Sequence, residues 1–414
     1  MRTEKQLLEP FQHIDNKITR ITPYLKNIQT VSQFSFGTWN SRQHMILAIE
    51  AGTETGFGES IIATNQPEID VHIYQSQLAE LIGCGVFAAI ETVRAQRGRW
   101  PEKLTELLEM ALLDLAGKCA RTATVKLLAL PHRQPVYGVS VILSRQPEEV
   151  RQKAQAAKAN GRTRFLKLKL FGEEDLDLEL IRTARQVCPR GECYLIGDVN
   201  GGYREPEQEV SLEEIAASLN RLYAAGLDAC EDPAYISNQD WVRLQELCAG
   251  LCLIPDYPLR PAREAVHTLL PGMGGIYNIH PAVMGSLLDA VLLAERIQDI
   301  GAKVMIGDDS LVGPAATVWQ QLAMGLGAVW VEAVEKERDS DFYYRAAGDL
   351  ATDSRCFPIA YNEKPGFGIE IKESILKEET DYDSITGFKP KADKKQQSAP
   401  YSQPRPAGKE NHQG

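Results

Sequence analysis

The chain has 414 residues, of which 43% are hydrophobic and 24% charged, and its formal net charge is −11. This composition is typical of a globular protein with one large domain and a smaller one. The negative charge argues against a broad nucleic-acid-binding face, which needs clustered Lys and Arg. The sequence contains neither an apolar run of membrane-spanning length nor a signal-peptide core. We therefore expect a cytoplasmic protein with no membrane partner.

The eight cysteines do not form a metal-binding pattern. The close pairs Cys188–Cys193 and Cys248–Cys252 lack the further Cys or His that would complete a zinc site. Free and mostly buried thiols in a reducing compartment are expected.

Residues 1–135 mix strand-like and helical patterns. Strand-like pieces at Ile18–Tyr24 and Met45–Glu50 precede helical stretches near 75–95 and 101–119. This order indicates an α+β domain, and we expect about the first 17 residues to be loosely held.

From residue 136 to residue 345, short β-branched apolar runs alternate with longer amphipathic stretches. The eight apolar runs are Val136–Leu143, Arg164–Leu170, Cys193–Asp198, Asp228–Glu231, Cys252–Asp256, Ile276–Ile279, Lys303–Gly307 and Val329–Ala333. Seven helical stretches lie between them, at 147–159, 175–187, 211–225, 237–249, 261–270, 282–299 and 313–325. Parallel strands need crossover helices, so the pattern predicts an α/β fold with a (β/α)7β barrel of the TIM type. An open doubly wound sheet is the alternative, but it calls for a Gly-rich phosphate turn that this sequence lacks.

The last part of the chain changes character twice. Segment 346–378 contains Pro365–Glu370, which predicts a turn followed by a short strand. Residues 379–414 are polar and rich in Pro, Lys and Gln, so we expect a disordered tail.

Carboxylates stand at three successive strand ends, where the active site of a parallel barrel lies. The third, fourth and fifth barrel strands end in Asp198, Glu231 and Asp256. Hard oxygen ligands from neighbouring strands suit Mg²⁺, with Mn²⁺ as an alternative. One such carboxylate is often only a helix N-cap, but three in succession are harder to explain in that way.

Two lysines end the second barrel strand, Lys167 and Lys169, and the two-residue period of a strand puts both on one face. A divalent metal on the substrate carboxylate stabilises the enolate that forms when an α-proton is removed. A lysine beside another ammonium group and a metal gives up its own proton more easily, so Lys169 is the candidate base. Lys167 is the neighbouring ammonium group that favours proton loss from Lys169, and it is also the candidate that binds the substrate carboxylate.

His280 ends the sixth strand and is the candidate opposing acid or base, since an unperturbed histidine has a pKa of about 6.5. The alternative is a histidine satisfied within the core or a loop. Asn200, just beyond Asp198, and Asp308 and Asp309, after the seventh strand, are further candidates at the same end of the barrel.

Taken together, these motifs resemble the enolase superfamily, and in particular the mandelate racemase and muconate lactonizing enzyme family. The Lys-x-Lys pair is similar to that of the muconate-lactonizing subgroup. Three further elements resemble the family, namely the turn Gly56–Glu59, the helix Met110–Lys118 and the closing element Pro365–Glu370. The resemblance implies a barrel capped by the N-terminal domain, a C-terminal segment that completes this cap, metal ligands at the three carboxylates, and a homo-oligomer.

The sequence also departs from the family. His280 stands where the lysine subgroup has a second catalytic Lys, and the His expected on strand seven in the racemase and dehydratase subgroups is absent. Asp309 falls near an acidic residue that the lysine subgroup often has. Tyr257 and Pro258 follow Asp256 where the family usually has Glu-Ser.

In this family two cap loops close over the barrel and determine specificity. Phe34–Trp39 and Ser60–Gln66 resemble these loops, which makes Phe36 and Trp39 candidates for contact with the substrate. Alternatively, Phe34 and Phe36 are core residues of the cap at alternating strand positions.

Three functions remain open from the sequence. The first is a Mg²⁺-dependent racemase, epimerase or cycloisomerase that acts on a small carboxylate through Lys169 and His280. The second is a dehydratase of a hydroxy acid or sugar acid, in which His280 protonates the leaving hydroxyl group. The third is a non-catalytic barrel that binds a ligand, an alternative raised by the missing strand-six Lys.

Overall fold

A computed structural model of the chain describes residues 2–66, 69–132, 134–204, 210–248, 250–334, 336, 338–347 and 358–382. The strands in this part are β1 (Ile18–Phe34), β2 (Gly37–Ala51), β3 (Glu54–Thr64), β4 (Ser140–Ile142), β5 (Phe165–Lys169), β6 (Tyr194–Asp198), β7 (Ala229–Glu231), β8 (Cys252–Ile254), β9 (Ile276–Ile279), β10 (Lys303–Ile306) and β11 (Asp381–Tyr382). The helices are α1 (Glu4–Leu8), α2 (Gln75–Glu80), α3 (Val86–Ala95), α4 (Glu102–Cys119), α5 (Thr124–Leu127), α6 (Pro147–Ala159), α7 (Glu174–Val187), α8 (Leu212–Ala225), α9 (Asn238–Leu247), α10 (Ala262–Thr268), α11 (Leu287–Asp299), α12 (Pro314–Leu326), α13 (Asp341–Ala347) and α14 (Glu373–Glu379).

Eight parallel segments close into a barrel. Strands β4 to β8 pair in chain order, and β9 pairs with β10. The amide of Asn278 donates to the carbonyl of Pro255 at 3.0 Å and joins the two sheets on one side. On the other side Val331 forms parallel bridges with Ile306 and Gly138, so it represents the eighth strand. The predicted barrel is confirmed, although its first and eighth strands are shorter than the apolar runs suggested.

The alternation of side chains along each strand separates the barrel interior from the helical layer. On β6, for example, Leu195 packs in the large outer core and Ile196 in the small inner one. The amino-terminal end of the barrel is closed by Phe165, Tyr194 and Trp330, whose ring centroids are 5.0, 5.8 and 6.2 Å apart. These rings leave the carboxyl ends of the strands as the open mouth of the barrel.

The N-terminal domain is an antiparallel sheet, β1–β2–β3, with α4 packed on it. A Cβ atom at Gly56 would lie only 2.2 Å from the carbonyl oxygen of Ala111, so the missing side chain lets strand and helix backbones touch. Gly56–Glu59 lies within β3 and is not the predicted turn. The predicted loop Ser60–Gln66 is likewise strand as far as Thr64.

The N-terminus is not loosely held, contrary to the prediction from sequence. Helix α1 has a capping box from Thr3, and Leu7 and Phe11 are fully buried. Arg2 forms an ion pair with Glu295 of α11 at 2.5 Å. These contacts attach the first residues to the barrel helices.

The C-terminal segment packs on the N-terminal domain. The amide of Phe367 donates to buried Asp114 of α4 at 2.8 Å, while Thr124 donates its amide to the carbonyl of Gly366 at 2.7 Å. A turn forms at Pro365–Glu370 as predicted, but the described residues show no strand directly after it.

Part of the predicted tail is ordered, because β11 pairs with Tyr24 and Leu25 of β1. Residues 348–357 of the predicted returning segment and 383–414 of the predicted tail lie outside the described residues. The domain boundaries 1–135, 136–345 and 346–378 stay predictions. Within the described helices, none has the length and apolar character needed to cross a membrane.

Two buried glutamates join the N-terminal domain to the barrel. Glu59 accepts amide hydrogens from Val312 at 2.9 Å and Gly313 at 2.8 Å, where α12 begins. On α4, Glu106 accepts those of Ala282 at 2.6 Å and Gly285 at 3.0 Å, in the loop after β9. The sheet and α4 are thereby fixed over the mouth of the barrel.

Candidate active site

The strand register brings three of the predicted charged residues side by side. Asp198 at the end of β6 pairs with Lys169 of β5 and with Glu231 of β7. The side chain of Asp198 points into the barrel, because Ile196 and Tyr194, two and four positions earlier on the same strand, do so and side chains alternate along a strand. Paired strands are about 4.8 Å apart, so these groups interact directly.

Lys167 is the central counterion of this site. Its Nζ lies 3.0 Å from Asp198, 2.9 Å from Glu231 and 2.7 Å from Glu332, and its side chain is only 3% exposed. Burial disfavours the ammonium form, but the three carboxylates outweigh it and hold the pKa of Lys167 well above its usual range. Lys167 therefore holds the carboxylates together as a cation, and this geometry does not support its predicted contact with the substrate carboxylate.

Lys169 lies nearer the mouth, with 16% of its side chain exposed. Its Nζ donates to the carboxylate of Asp198 and to Oδ1 of Asn200, the latter at 3.3 Å, and stands 5.4 Å from the ring centre of Phe34. Burial alone would raise the pKa of Asp198, but the charges of Lys167 and Lys169 hold it below its usual range. Of the two lysines, Lys169 is the one that a substrate can reach.

Asp256, the third predicted metal ligand, has a different partner. Arg260 donates Nε–H to its Oδ1 at 3.0 Å and Nη2–H to its Oδ2. Neighbouring Asp232 accepts the amides of Asp256 and Tyr257, each at 3.0 Å. Burial and the charge of Asp256 raise the pKa of Asp232 to about 8.

The charges at the mouth do not balance. The carboxylates are Asp198, Glu231, Asp232, Asp256 and Glu332, and the cations are Lys167, Lys169 and Arg260. If all five carboxylates were ionised, two negative charges would be in excess; burial and the Asp198 charge instead raise the pKa of Glu231 well above its usual range, and burial and the Asp256 charge raise that of Asp232, which favours the protonated form of both groups. Binding of a divalent cation would neutralise two negative charges and release protons held by these carboxyl groups. The oxygen donors therefore fit Mg²⁺.

The three predicted ligand carboxylates, Asp198, Glu231 and Asp256, do not converge on a common point. Among the described residues, no three Asp, Glu, His or Cys side chains are arranged as a ready metal centre. Asp198 and Glu231 converge on Lys167, whereas Asp256 is turned to Arg260. Binding of one ion by all three carboxylates would use oxygens of Asp256 that already accept hydrogen bonds from the guanidinium group.

His280 follows β9, the sixth barrel strand, which lies across an eight-stranded barrel from β5. Its Nδ1 is 2.9 Å from the carbonyl of Pro281. A carbonyl oxygen only accepts, so this nitrogen carries the hydrogen and Nε2 keeps its lone pair in the neutral ring. Burial lowers the pKa of His280, although the charge of Asp256 acts in the opposite direction. The lowered pKa favours the neutral ring, which is suited to accept a proton.

The two aspartates after β10 have structural partners. Asp308 pairs with Lys336 at 2.6 Å and accepts the amide of Leu311 at 3.0 Å. Asp309 pairs at 3.3 Å with Lys103 of α4. The Asp309–Lys103 pair joins the seventh strand end to the N-terminal domain.

Aromatic residues of the β1–β2 hairpin lie next to Lys169. The ring of Phe34 is 5.0 Å from the rings of both Phe36 and Trp39. Ser35 donates its hydroxyl hydrogen to the carbonyl of Val199 at 2.7 Å, which places the hairpin on the loop after β6. Phe36 is 57% exposed, so it is not a core residue of the cap.

Three residues of this site were missed from the sequence. Glu332 stands two positions after inward-facing Trp330 and Asn278 two positions before His280, so strand alternation could have located both. The side-chain amide of Asn278 donates to Glu231 at 3.1 Å. Arg260 lies in a turn beyond β8, and no pattern in the sequence indicates its contact with Asp256.

The fold and site define an α/β barrel enzyme with lysines and carboxylates at the strand ends. A sequence model of the family described as "Enolase C-terminal domain-like" matches residues 149–375, more than half of the chain. The chain belongs to this family, and the resemblance to the enolase superfamily is confirmed.

Named relatives agree with this assignment. The chain is 23% identical to N-succinyl-L-Arg/Lys racemase of Bacillus cereus over 278 residues, which cover 67% of this chain and 72% of the racemase. The crystal structure of that racemase matches with a TM-score of 0.69 and 20% identity, covering 89% of this chain and 100% of the racemase chain.

Two further solved structures share the fold. A dipeptide epimerase from Enterococcus faecalis, complexed with Mg and L-Leu-L-Tyr, has a TM-score of 0.72 at 18% identity and covers 85% of this chain and 99% of the epimerase. Muconate lactonizing enzyme from Pseudomonas fluorescens, complexed with muconolactone, has a TM-score of 0.72 at 18% identity. The match covers 89% of this chain and 100% of that enzyme. The relatives are enzymes, and this chain is an enzyme of the superfamily.

Proposed function

We propose that the chain is a Mg²⁺-dependent racemase or epimerase of a small carboxylate, or a cycloisomerase, that works by abstraction of the α-proton. Asp198, Glu231 and Asp256 would hold the ion. When bound, Mg²⁺ supplies electrostatic stabilisation of the charge that develops on the substrate carboxylate. The observation that carries the proposal is the partly exposed Lys169, which is held by Asp198 and Asn200 beside these carboxylates.

The proton chemistry belongs to Lys169 and His280. On one face of the substrate, the ammonium group of Lys169 donates a proton to the α-carbon after Nε2 of neutral His280 has taken the α-proton from the other face. For the opposite enantiomer the roles are reversed, so that Nζ of Lys169 is the base and protonated His280 is the acid, and the configuration at the α-carbon is inverted in both directions. Lys167 and Asn278 keep Asp198 and Glu231 in place.

A dehydratase is the second candidate, but the state of His280 favours proton transfer between the two faces. Dehydration needs an acid that protonates the leaving hydroxyl group. Burial lowers the pKa of His280, which disfavours the imidazolium form that this role needs. A neutral imidazole fits the role of a base better.

Deuterium exchange tests the proposal. The protein is incubated with Mg²⁺ in D₂O and a panel of N-succinyl amino acids, dipeptides and hydroxy acids, of which the first two are the compounds that the relatives' names suggest. We expect deuterium at the α-carbon without loss of water. Lys169→Met should lower the exchange rate by a factor of about 10² to 10⁴, the usual contribution of a general base.

The control is Lys158→Met, which removes a half-exposed lysine near the end of α6, paired with Glu192 before the start of β6 and so at the opposite end of the barrel from the mouth, and should leave exchange unchanged. Release of water with formation of a keto acid would establish the dehydratase instead. Full exchange by Lys169→Met would show that another group is the base.

We also propose a homo-oligomer in the cytoplasm that binds either Mg²⁺ or Mn²⁺. The seven cysteines of the described residues, all free thiols, support a reducing location. Light scattering after size exclusion measures the oligomeric state, and calorimetry with each ion measures the metal preference.

A further inference from the structure

Asp256 and Arg260 form the most complete ion pair at the barrel mouth. Two N–H groups of the guanidinium meet both oxygens of the carboxylate, the fork geometry that makes Arg–carboxylate pairs strong. The side chain of Asp256 is 2% exposed, whereas that of Arg260 is 25% exposed. The carboxylate is therefore enclosed, and the cation has access to solvent.

The surroundings keep Arg260 at this place. The charges of Asp256, Asp232 and Asp309 raise the pKa of Arg260 above its usual value, although burial works against the charged form. The backbone of its turn is fixed, because the amide of Leu259 donates to the carbonyl of Asp256 at 3.0 Å. The side chain of Arg260 is one-quarter exposed, so it has solvent on one side while the backbone of the turn stays hydrogen-bonded.

Arg260 also explains why the three carboxylates do not converge. Asp198 and Glu231 share Lys167, which forms no ion pair with Asp256. Asp256 is paired with the guanidinium group of Arg260 and not with Lys167. An ion at the strand ends and the guanidinium would therefore use the same two oxygens of Asp256.

We propose that Arg260 is an exchangeable counterion that competes with the divalent cation for Asp256. In the metal-free protein it neutralises this carboxylate, and metal binding displaces it toward the solvent at the mouth. The inference rests on the proposed function, since it takes Asp256 as a metal ligand. It predicts that Arg260 lowers the affinity of the site for Mg²⁺.

A double-mutant cycle on Mg²⁺ affinity tests this exchange. Mg²⁺ is titrated by calorimetry into chelator-treated wild type, Arg260→Met, Asp256→Asn and the double variant. Arg260→Met should bind Mg²⁺ about tenfold more tightly or better, because the competing pair of charge-assisted hydrogen bonds is gone. In the Asp256→Asn background the same change should have almost no effect.

Two further variants make the result specific. Arg260→Lys keeps the charge but loses the fork, and should lie between wild type and Arg260→Met. Lys103→Met removes another cation near the mouth, one paired with Asp309, and should leave Mg²⁺ affinity unchanged. Thermal melts of each variant establish that the protein is folded.

The outcomes separate the inference from the proposed function. Equal Mg²⁺ affinity in wild type and Arg260→Met overturns the exchange alone. An equal gain with Asp256 present or absent also overturns it, since the effect would then be a general one of charge. If neither wild type nor any variant binds Mg²⁺ at millimolar concentration, the proposed function is overturned, and the exchange with it.

Discussion

Lys167 is the residue whose removal should affect stability most among those of the site. Its ammonium group contacts three buried carboxylates, and Lys167→Met would leave them without that cation. Loss of one partner of a buried ion pair typically costs 3 to 5 kcal/mol, so we expect a decrease of about that size in the free energy of unfolding. Urea titration measures it, with Lys158→Met as the half-exposed control. A decrease below about 0.5 kcal/mol, the range of ordinary surface changes, would contradict this role.

His280 leads to a prediction about pH. Burial and the charge of Arg260 lower the pKa of His280, and they outweigh Asp256 and Asp309, which raise it. A lowered pKa means that the neutral ring persists to lower pH than in a free histidine. If neutral His280 is required, the acid limb of kcat/KM should lie below pH 6.5 and should be absent from the residual activity of His280→Gln. An acid limb above pH 6.5 that is unchanged in the variant would assign the limb to another group.

At the scale of elements, the contact of β3 with α4 depends on the lack of a side chain at Gly56. A Cβ atom there would lie 2.2 Å from the Ala111 carbonyl and 2.5 Å from Leu115. Neither the carbonyl nor the helix backbone is able to move aside easily. We expect Gly56→Ala to destabilise the protein by about 1 to 3 kcal/mol or more, the usual cost of overpacking.

The control for this prediction is Thr55→Ala, the neighbouring position on β3, whose side chain is partly exposed. Thermal or urea unfolding of both variants gives the comparison. Equal stability of the two variants would mean that strand and helix separate without cost. The contact between β3 and α4 at Gly56 would then not be rigid.

At the scale of the whole molecule, Glu59 links the N-terminal sheet to the barrel. Burial raises its pKa, but His44 and the amides at the start of α12 outweigh this and hold the pKa of Glu59 below its usual value. A depressed folded-state pKa means stability that is present above the unfolded-state pKa of about 4.3 and is lost as pH falls through the folded-state value. Glu59→Gln should therefore lose roughly 1 to 3 kcal/mol at pH 7.

Urea unfolding between pH 3 and pH 7 measures this linkage. The difference between wild type and Glu59→Gln should begin to shrink as pH falls below about 4.3, because unfolded wild type then takes up a proton, and should vanish below the folded-state pKa, where Glu59 is uncharged in both states. Glu148→Gln, at a position 69% exposed, should show almost no difference at any pH. A constant difference across the range would mean that the charge of Glu59 is not the source of its contribution.

Much of the barrel and the catalytic candidates follow from the sequence because they depend on short-range periodicity. Strand alternation over two residues places Lys169 on the inward side, and it does the same for Asp198 and Glu231 at the ends of their strands. Helices between the apolar runs require parallel strands, whose carboxyl ends meet at one mouth. The family motifs point to the same site.

The choice of ionic partners was decided only by the tertiary structure. Lys167 and Glu332 are 165 residues apart in the chain, and Glu59 and Val312 are 253 apart. No local pattern encodes which buried cation meets which carboxylate, since the choice depends on distances set by closure of the barrel and docking of the N-terminal domain. The pairing of Arg260 with Asp256 is of this kind although the residues are only four apart, because an irregular turn and the enclosed carboxylate bring them together. The sequence by itself therefore determined the fold and the residue types of the site, and the tertiary structure determined which of these residues a metal ion or a substrate is able to reach.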